Sequence, residues 1–245
     1  MKVVVPMAGR GSRLGALRVT TPKPLVPVAG RPMVAWALES LVGLSYSEII
    51  FVALMAHDRD HRLKEILRPW VRGKSSVVLL DDVTEGQLCT VLAAREFINT
   101  DEDLLIASSD TYVVSDLGEA IAKQEEECRG LIPVADMPGD HWSFARTDER
   151  GRVVEVAEKV RISDHASTGL YYFSSGREFV EVADEIVYRG QKTRGEYYVM
   201  PVYQKYVERG WRVEVCRAME MWDMGTPEAL AAFGRHLGVL GECYS

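Results

Sequence analysis

At 245 residues, with 47% hydrophobic and 27% charged side chains, the chain suits one large α/β domain or two small ones and can bury a sizeable core. Its formal net charge of -7 argues against a general nucleic-acid binder, so an anionic ligand would have to meet locally concentrated positive charge and a divalent cation. No apolar run approaches the roughly 20 residues that span a bilayer, and the N-terminus enters a strand without a cleavable signal pattern, so a cytoplasmic protein with no membrane partner is expected.

Lys2 to Met7 is a β-branched apolar run of the kind that forms a buried parallel strand. It breaks into Ala8-Gly9-Arg10-Gly11-Ser12-Arg13 with no turn that would return it as a hairpin. Glycines at 9 and 11 remove Cβ atoms that would hold a ligand away, so backbone N–H groups can face an anion while Arg13 adds positive charge. That is a phosphate loop in outline, although any tight strand-to-helix turn also favours glycine. Two better-known fingerprints fail. Leu14 stands where the third Rossmann glycine would open a helix, and no Gly-Lys-Ser/Thr follows at Walker spacing. Lys23 lies between Pro22 and Pro24, which predict a stiff extended segment presenting the lysine.

Strand and helix patterns then alternate. Pro32 starts a helix carrying Met33, Trp36, Ala37, Leu41 and Leu44 at helical spacing, followed by a strand from Glu48 to Leu54. Asp58 is expected to cap a helix reaching about Leu67. Ser76 to Leu80 reads as a strand, Cys89 to Ile98 as a helix, and Leu104 to Ala107 as a strand ending at Ser108-Ser109-Asp110. Repeated βα units imply a mainly parallel sheet with right-handed crossovers and ligands at the carboxyl ends of its strands. A helix is expected from Ser115 to about Cys128 and a strand from Leu131 to Ala135. Ser143 to Thr147 and Val153 to Val156 flank Asp148-Glu149-Arg150-Gly151 as a hairpin. Thr168 to Phe173 is a further strand, then come helices over about Arg177 to Tyr188 and Val199 to Glu208, and a strand from Trp211 to Cys216. Thr226-Pro227-Glu228 opens a terminal helix to about Leu240. Cys89, Cys128, Cys216 and Cys243 are scattered without metal-ligand spacing and read as core or surface thiols. The five histidines form no catalytic pattern.

Three carboxylate positions remain. Asp110 follows an apolar strand, where it could hold Mg²⁺ or simply form a turn. Asp223 could be a second ligand or a loop residue near a helix start, and Glu158-Lys159 could be functional or a solvated pair.

Taken together, Gly9-x-Gly11-Ser12-Arg13-Leu14 with Pro22-Lys23-Pro24-Leu25 resembles the signature of the sugar-phosphate nucleotidyltransferases, the group of glucose-1-phosphate thymidylyltransferase and mannose-1-phosphate guanylyltransferase. Asp110, Glu158-Lys159-Val160, Thr168-Gly169-Leu170-Tyr171 and Trp222 to Pro227 resemble later motifs of that family, in order along nearly the whole chain. Two departures stand out. Val160 replaces the proline after the lysine, and the residues around Gly86 differ from the thymidylyltransferase form.

The resemblance implies a Rossmann-like α/β fold of the nucleotide-diphospho-sugar transferase type, a mainly parallel sheet flanked by helices with a small antiparallel β insertion over the substrate site. Residues 1–245 would form one nucleotidyltransferase domain, without the left-handed β-helix of longer bifunctional relatives, since no hexapeptide repeats are present. The implied partners are a nucleoside triphosphate and a sugar 1-phosphate, with Mg²⁺ as cofactor; homo-oligomers are common in the family. Ala8, Gly9, Gly11, Ser12, Arg13, Lys23, Gly86 and Gln87 would bind the nucleotide. Glu158, Lys159, Thr168 and Gly169 would bind the sugar phosphate, and Asp110 and Asp223 the metal, with Arg13, Lys23 and Lys159 as the catalytic cations. Two alternatives stay open: a cytidylyltransferase acting on a non-sugar phosphate such as phosphocholine, and a catalytically silent nucleotide-binding module.

Overall fold

Alternating residues of the first strand divide the core in two. In β1 (Lys2–Pro6), Val4 points to one face and Val3 and Val5 to the other, all at most 1% exposed. Val4 joins Ile50 and Ile106 beneath the helices Gln87–Leu92, Gly176–Tyr188 and Met200–Glu208. Val3 and Val5 join Ile49, Phe51 and Leu105 beneath Met33–Glu39, Leu63–Leu67 and Leu117–Lys123. The structure, a computed structural model, describes residues 1–18 and 21–238.

A small hairpin pairs β2 (Pro27–Val28) with β3 (Arg31–Pro32). The other strands are β4 (Glu48–Leu54), β5 (Ser75–Leu80), β6 (Leu104–Ala107), β7 (Thr111–Ser115) and β8 (Cys128–Ala135). Then follow β9 (Ser143–Thr147), β10 (Val153–Glu158), β11 (Ala166–Ser167), β12 (Leu170–Phe173) and β13 (Arg212–Asp223). Their spatial order is β10-β9-β11-β8-β12-β6-β1-β4-β5. The β5, β4, β1 and β6 strands are parallel neighbours; β12 is antiparallel to both β6 and β8, and the β9–β10 hairpin lies beside β11. The expected α/β architecture, a large mostly parallel central sheet flanked by helices with an antiparallel insertion, is thus present.

Several boundaries differ from the sequence reading. The helix from Pro32 ends at Glu39, and the segment expected as one helix over Cys89 to Ile98 is two, Gln87–Leu92 and Arg95–Ile98. The helix expected after Asp58 is broken by Arg62 at φ 53 into Met55–His61 and Leu63–Leu67; Asp58 sits inside the first and its carboxylate caps the second by accepting from the Lys64 N–H at 3.2 Å. Thr111 to Ser115 is a strand, and the helix after it covers only Leu117–Lys123. Its continuation, Gln124-Glu125-Glu126-Glu127, places like charges in succession, and β8 already begins at Cys128, buried in the core. The strand expected to stop at Cys216 runs to Asp223 because it changes partner: Arg212 to Arg217 pair parallel with β8, and Ala218 to Asp223 antiparallel with β7. The last described helix is Pro227–His236; Leu240 and Cys243 lie outside the described residues. Among the described residues no helix is long and apolar enough to cross a membrane.

One buried charge anchors the sheet away from the cleft. Glu48 is 2% exposed and accepts from the ammonium groups of Lys2 and Lys74, both at 3.1 Å, and from the Ser76 hydroxyl at 2.7 Å. Burial pushes its carboxyl up, but these donors outweigh burial and hold it at about 2 against an ordinary 4.5. Because the folded value is the lower one, its stabilisation is fully present above about pH 4.5 and is lost as pH falls towards 2. Glu48→Gln should therefore cost about 3 kcal/mol at neutral pH and almost nothing near pH 2. Thermal melts of both proteins across that range check this; an equal destabilisation at both ends would contradict it.

Candidate active site

The β1 and β6 strands lie side by side and parallel, so the loops leaving their carboxyl ends meet. After β1 the chain turns through residues 8–11 into 3-10 turns over Ser12–Arg18, kinked at Gly15. Leu14, 1% exposed, is buried in a third cluster with Val26, Val28, Met33, Met224, Leu230 and Phe233. That cluster fixes the loop from its outer side against the helix Pro227–His236. Gly11 has φ 61, and a Cβ there would stand 2.7 Å from Cβ of Lys23, so glycine lets the Pro22–Pro24 segment pass closely. The segment is not extended as its prolines suggested. Lys23–Leu25 is a 3-10 turn closed by the Leu25 N–H on the Pro22 carbonyl at 2.8 Å, since the φ that proline fixes at 24 also suits a helical turn.

The resulting cleft has two lobes. The first, about 440 Å³, is lined by Ala8, Gly9, Gly11, Ser12, Arg13 and Lys23 on one side and by Gly86 and Gln87 on the other. The second, about 510 Å³, is lined by Glu158, Lys159, Thr168, Gly169 and Asp223. Ser12, Arg13, Gln87 and Asp110 border both. Every residue singled out from the sequence therefore faces one continuous space.

Two carboxylates converge where the lobes join. Asp110 follows β6; Asp223 ends β13, opposite Thr111, and the Met224 N–H donates to the Asp110 carbonyl at 2.8 Å. Asp110 forms an ion pair with Lys23. Burial pushes the Asp110 carboxyl up, but the charges of Lys23 and Arg13 prevail and hold it below its ordinary value. Asp223 goes the other way: burial, then the neighbouring Asp110 charge, raises it, against Lys23 and the Gly225 N–H that donates at 3.0 Å. Two hard oxygen donors under mutual repulsion suit Mg²⁺, which binds through one or two carboxylates and completes its shell with phosphate oxygens and water. Among the described residues no group of three or more His, Cys, Asp or Glu forms a fuller metal cage.

In the second lobe Glu158 ends β10 and accepts from the Ser143 hydroxyl across the hairpin. Burial raises its carboxyl despite that bond and the nearby Lys159 and Arg194. The Lys159 ammonium donates to the Tyr198 hydroxyl and lies 4.3 Å from the Tyr198 ring centroid. Thr168 is 1% exposed, and its hydroxyl has no partner among the described residues.

Sequence reasoning missed Arg194, Glu196 and Tyr198, which border this cleft from the segment before the helix Met200–Glu208. Only a charged and aromatic run after a glycine turn, Gly195-Glu196-Tyr197-Tyr198, could have pointed to them. It also passed over His141, whose ring lies tilted against Trp142 with centroids 4.4 Å apart beside the second lobe. Gly86 faces the same segment: at φ 138, a Cβ would stand 2.4 Å from the Tyr197 carbonyl oxygen, so only glycine allows this approach. The Gly86 carbonyl accepts from the hydroxyls of Thr84 at 2.9 Å and Thr90 at 3.2 Å.

A glycine-bearing loop at the end of a parallel strand, with cations facing two carboxylates, defines an α/β protein built to handle phosphate groups. Residues 2–237 match the family described as nucleotidyl transferase, and the chain belongs to that family. The bifunctional protein GlmU of Thermotoga petrophila is 26% identical over 206 residues, covering 81% of this chain and 43% of GlmU. The chain therefore spans less than half the length of that relative. The UTP--glucose-1-phosphate uridylyltransferase AglF of Haloferax volcanii is 25% identical over 239 residues, 93% of each chain. A solved nucleoside-diphosphate-sugar pyrophosphorylase from Vibrio cholerae shares the fold with a TM-score of 0.79 at 24% identity, covering 95% of this chain and 99% of that one.

Proposed function

We propose that the protein transfers a nucleoside monophosphate from a nucleoside triphosphate to a sugar 1-phosphate, releasing pyrophosphate. The observation that carries this reading is the shared border of the two lobes, where Arg13 and Asp110 stand between Lys23 on one side and Lys159 on the other. An oxygen of the sugar phosphate, anionic near neutral pH, forms a bond to the α-phosphorus. The bond from that phosphorus to the bridging oxygen breaks, and pyrophosphate leaves with the electron pair. No serine, cysteine or histidine has to activate such a nucleophile. Catalysis consists of alignment and of offsetting repulsion between anions.

The first lobe takes the triphosphate, with Arg13, Lys23 and the backbone of residues 8–12 facing its phosphates and Gly86 and Gln87 beside the base. The second takes the acceptor, with Lys159 on its phosphate and Glu158, Thr168 and Gly169 around the sugar. Asp110 and Asp223 would hold Mg²⁺, which, when bound, neutralises phosphate charge. Relatives whose names describe sugar nucleotide chemistry support the acceptor class.

Pyrophosphate release in the presence of Mg²⁺, with dTTP, UTP, CTP, GTP and ATP each paired with a panel of sugar 1-phosphates and with phosphocholine, tests the reading. Release that requires one nucleotide and one sugar 1-phosphate is expected. Release with phosphocholine alone would replace the acceptor class, and nucleotide binding without release from any pair would favour a silent module.

A further inference from the structure

We infer that Tyr198 is a positioning residue for Lys159, supplying through its side chain a constraint that the backbone of this chain does not impose. The inference rests on Lys159 being the cation that meets the acceptor phosphate. A proline after the lysine would hold its backbone extended, because a residue preceding proline is forced towards the β region. Val160 stands there instead, exposed and free of that restriction. Lys159 uses the freedom. Its φ is 58, the left-handed region that a side chain other than glycine seldom occupies without support.

Three contacts supply the support. The Lys159 N–H donates to the Trp142 carbonyl at 2.9 Å, and the Arg194 guanidinium donates to the Lys159 carbonyl at 3.1 Å. The ammonium is held by Tyr198, whose hydroxyl accepts its hydrogen bond and whose ring centroid lies 4.3 Å away. That hydroxyl donates in turn to the Glu196 carboxylate at 2.8 Å, so the phenol oxygen is oriented with a lone pair towards the lysine. The platform under Tyr198 is itself fixed. The Tyr197 N–H donates to the Glu85 carbonyl at 2.9 Å, and the Leu88 N–H donates to the Tyr197 carbonyl at 3.0 Å. Lys159 is thus located relative to the Gly86 segment across the cleft, by way of an aromatic residue that borders both lobes.

Trinitrobenzenesulfonate labelling of the intact chain, read at each lysine by peptide mass spectrometry, tests this without substrate. Lys64, 56% exposed and on a distant helix, serves as the internal reference. Relative to it, Lys159 labelling should rise about threefold in Tyr198→Phe, which removes the hydroxyl bond, and about tenfold in Tyr198→Leu, which also removes the ring contact. Val160→Pro, at an exposed site outside the strand, should raise it too by driving Lys159 out of the left-handed region. Unchanged labelling in all three folded variants would overturn the inference. With an acceptor identified from the panel above, Tyr198→Leu, at a residue bordering both lobes, should raise KM for the acceptor more than KM for the nucleotide; an unchanged acceptor KM would also overturn it. Absence of transfer from every pair would remove the functional reading, and the labelling would still decide whether Tyr198 positions the lysine.

Discussion

Lys23→Ala should lower turnover by about 10²–10³-fold, the loss expected when one fixed charge or donor facing a developing anion is removed. The lysine is 12% exposed, emerges from a turn set by two prolines, and pairs with Asp110 at the border of the lobes. Its charge therefore acts on the triphosphate and on the carboxylate pair together. Without it, Asp110 and Asp223 repel each other with less compensation, which weakens the hold on the triphosphate as well as the chemical step. Lys23→Arg keeps the charge but not the compact ammonium, so only partial recovery is expected. Steady-state pyrophosphate release measures both, with a thermal melt as control. Activity within tenfold of the unaltered protein would remove Lys23 from the catalytic assignment.

Phe233→Ala should destabilise the protein by about 3–5 kcal/mol and weaken nucleotide binding in the molecules that remain folded. Phe233 is fully buried and packs its ring against Trp36 at 5.3 Å, Tyr112 at 5.7 Å and Trp222 at 5.9 Å. The same cluster holds Leu14, so a cavity there loosens the loop as well as the helix. Phe179→Ala is the matched control. Phe179 is equally buried, but in the cluster on the Val4 face of the sheet, away from the loop. Denaturant melts should show comparable losses for the two variants, and nucleotide titration well below both midpoints should show weakened binding only for Phe233→Ala. Equal affinities would mean that the cluster stabilises the fold without shaping the loop.

Continuous apolar runs made the central strands legible. Glu48–Leu54 and Leu104–Ala107 have the bounds their sequences suggest because, Glu48 apart, parallel strands buried on both faces read as continuous apolar runs. The Thr111–Ser115 strand was hidden because its partner, the second half of β13, lies about a hundred residues later and is itself partly exposed, with Met219 and Glu220 facing solvent. Asp110, Glu158 and Asp223 could be named because each lies close to a recognisable strand or helix start. Arg194, Glu196 and Tyr198 could not, because the Gly86 approach that brings their loop to the cleft is a tertiary fact with no periodic trace.

The cluster that joins Leu14 to Phe233 also sets an order on a chain emerging from the ribosome. The clusters on the two faces of the sheet draw on strands and helices made earlier, and most of their hydrophobic surface can be buried before the last helix is synthesised. The loop at residues 8–14 finds only part of its packing early, in Val26, Val28 and Met33, since Met224, Leu230 and Phe233 are among the last described residues to be made. A nascent chain can therefore be largely folded and still lack a finished phosphate loop. The first turn the sequence encodes is the last to be set.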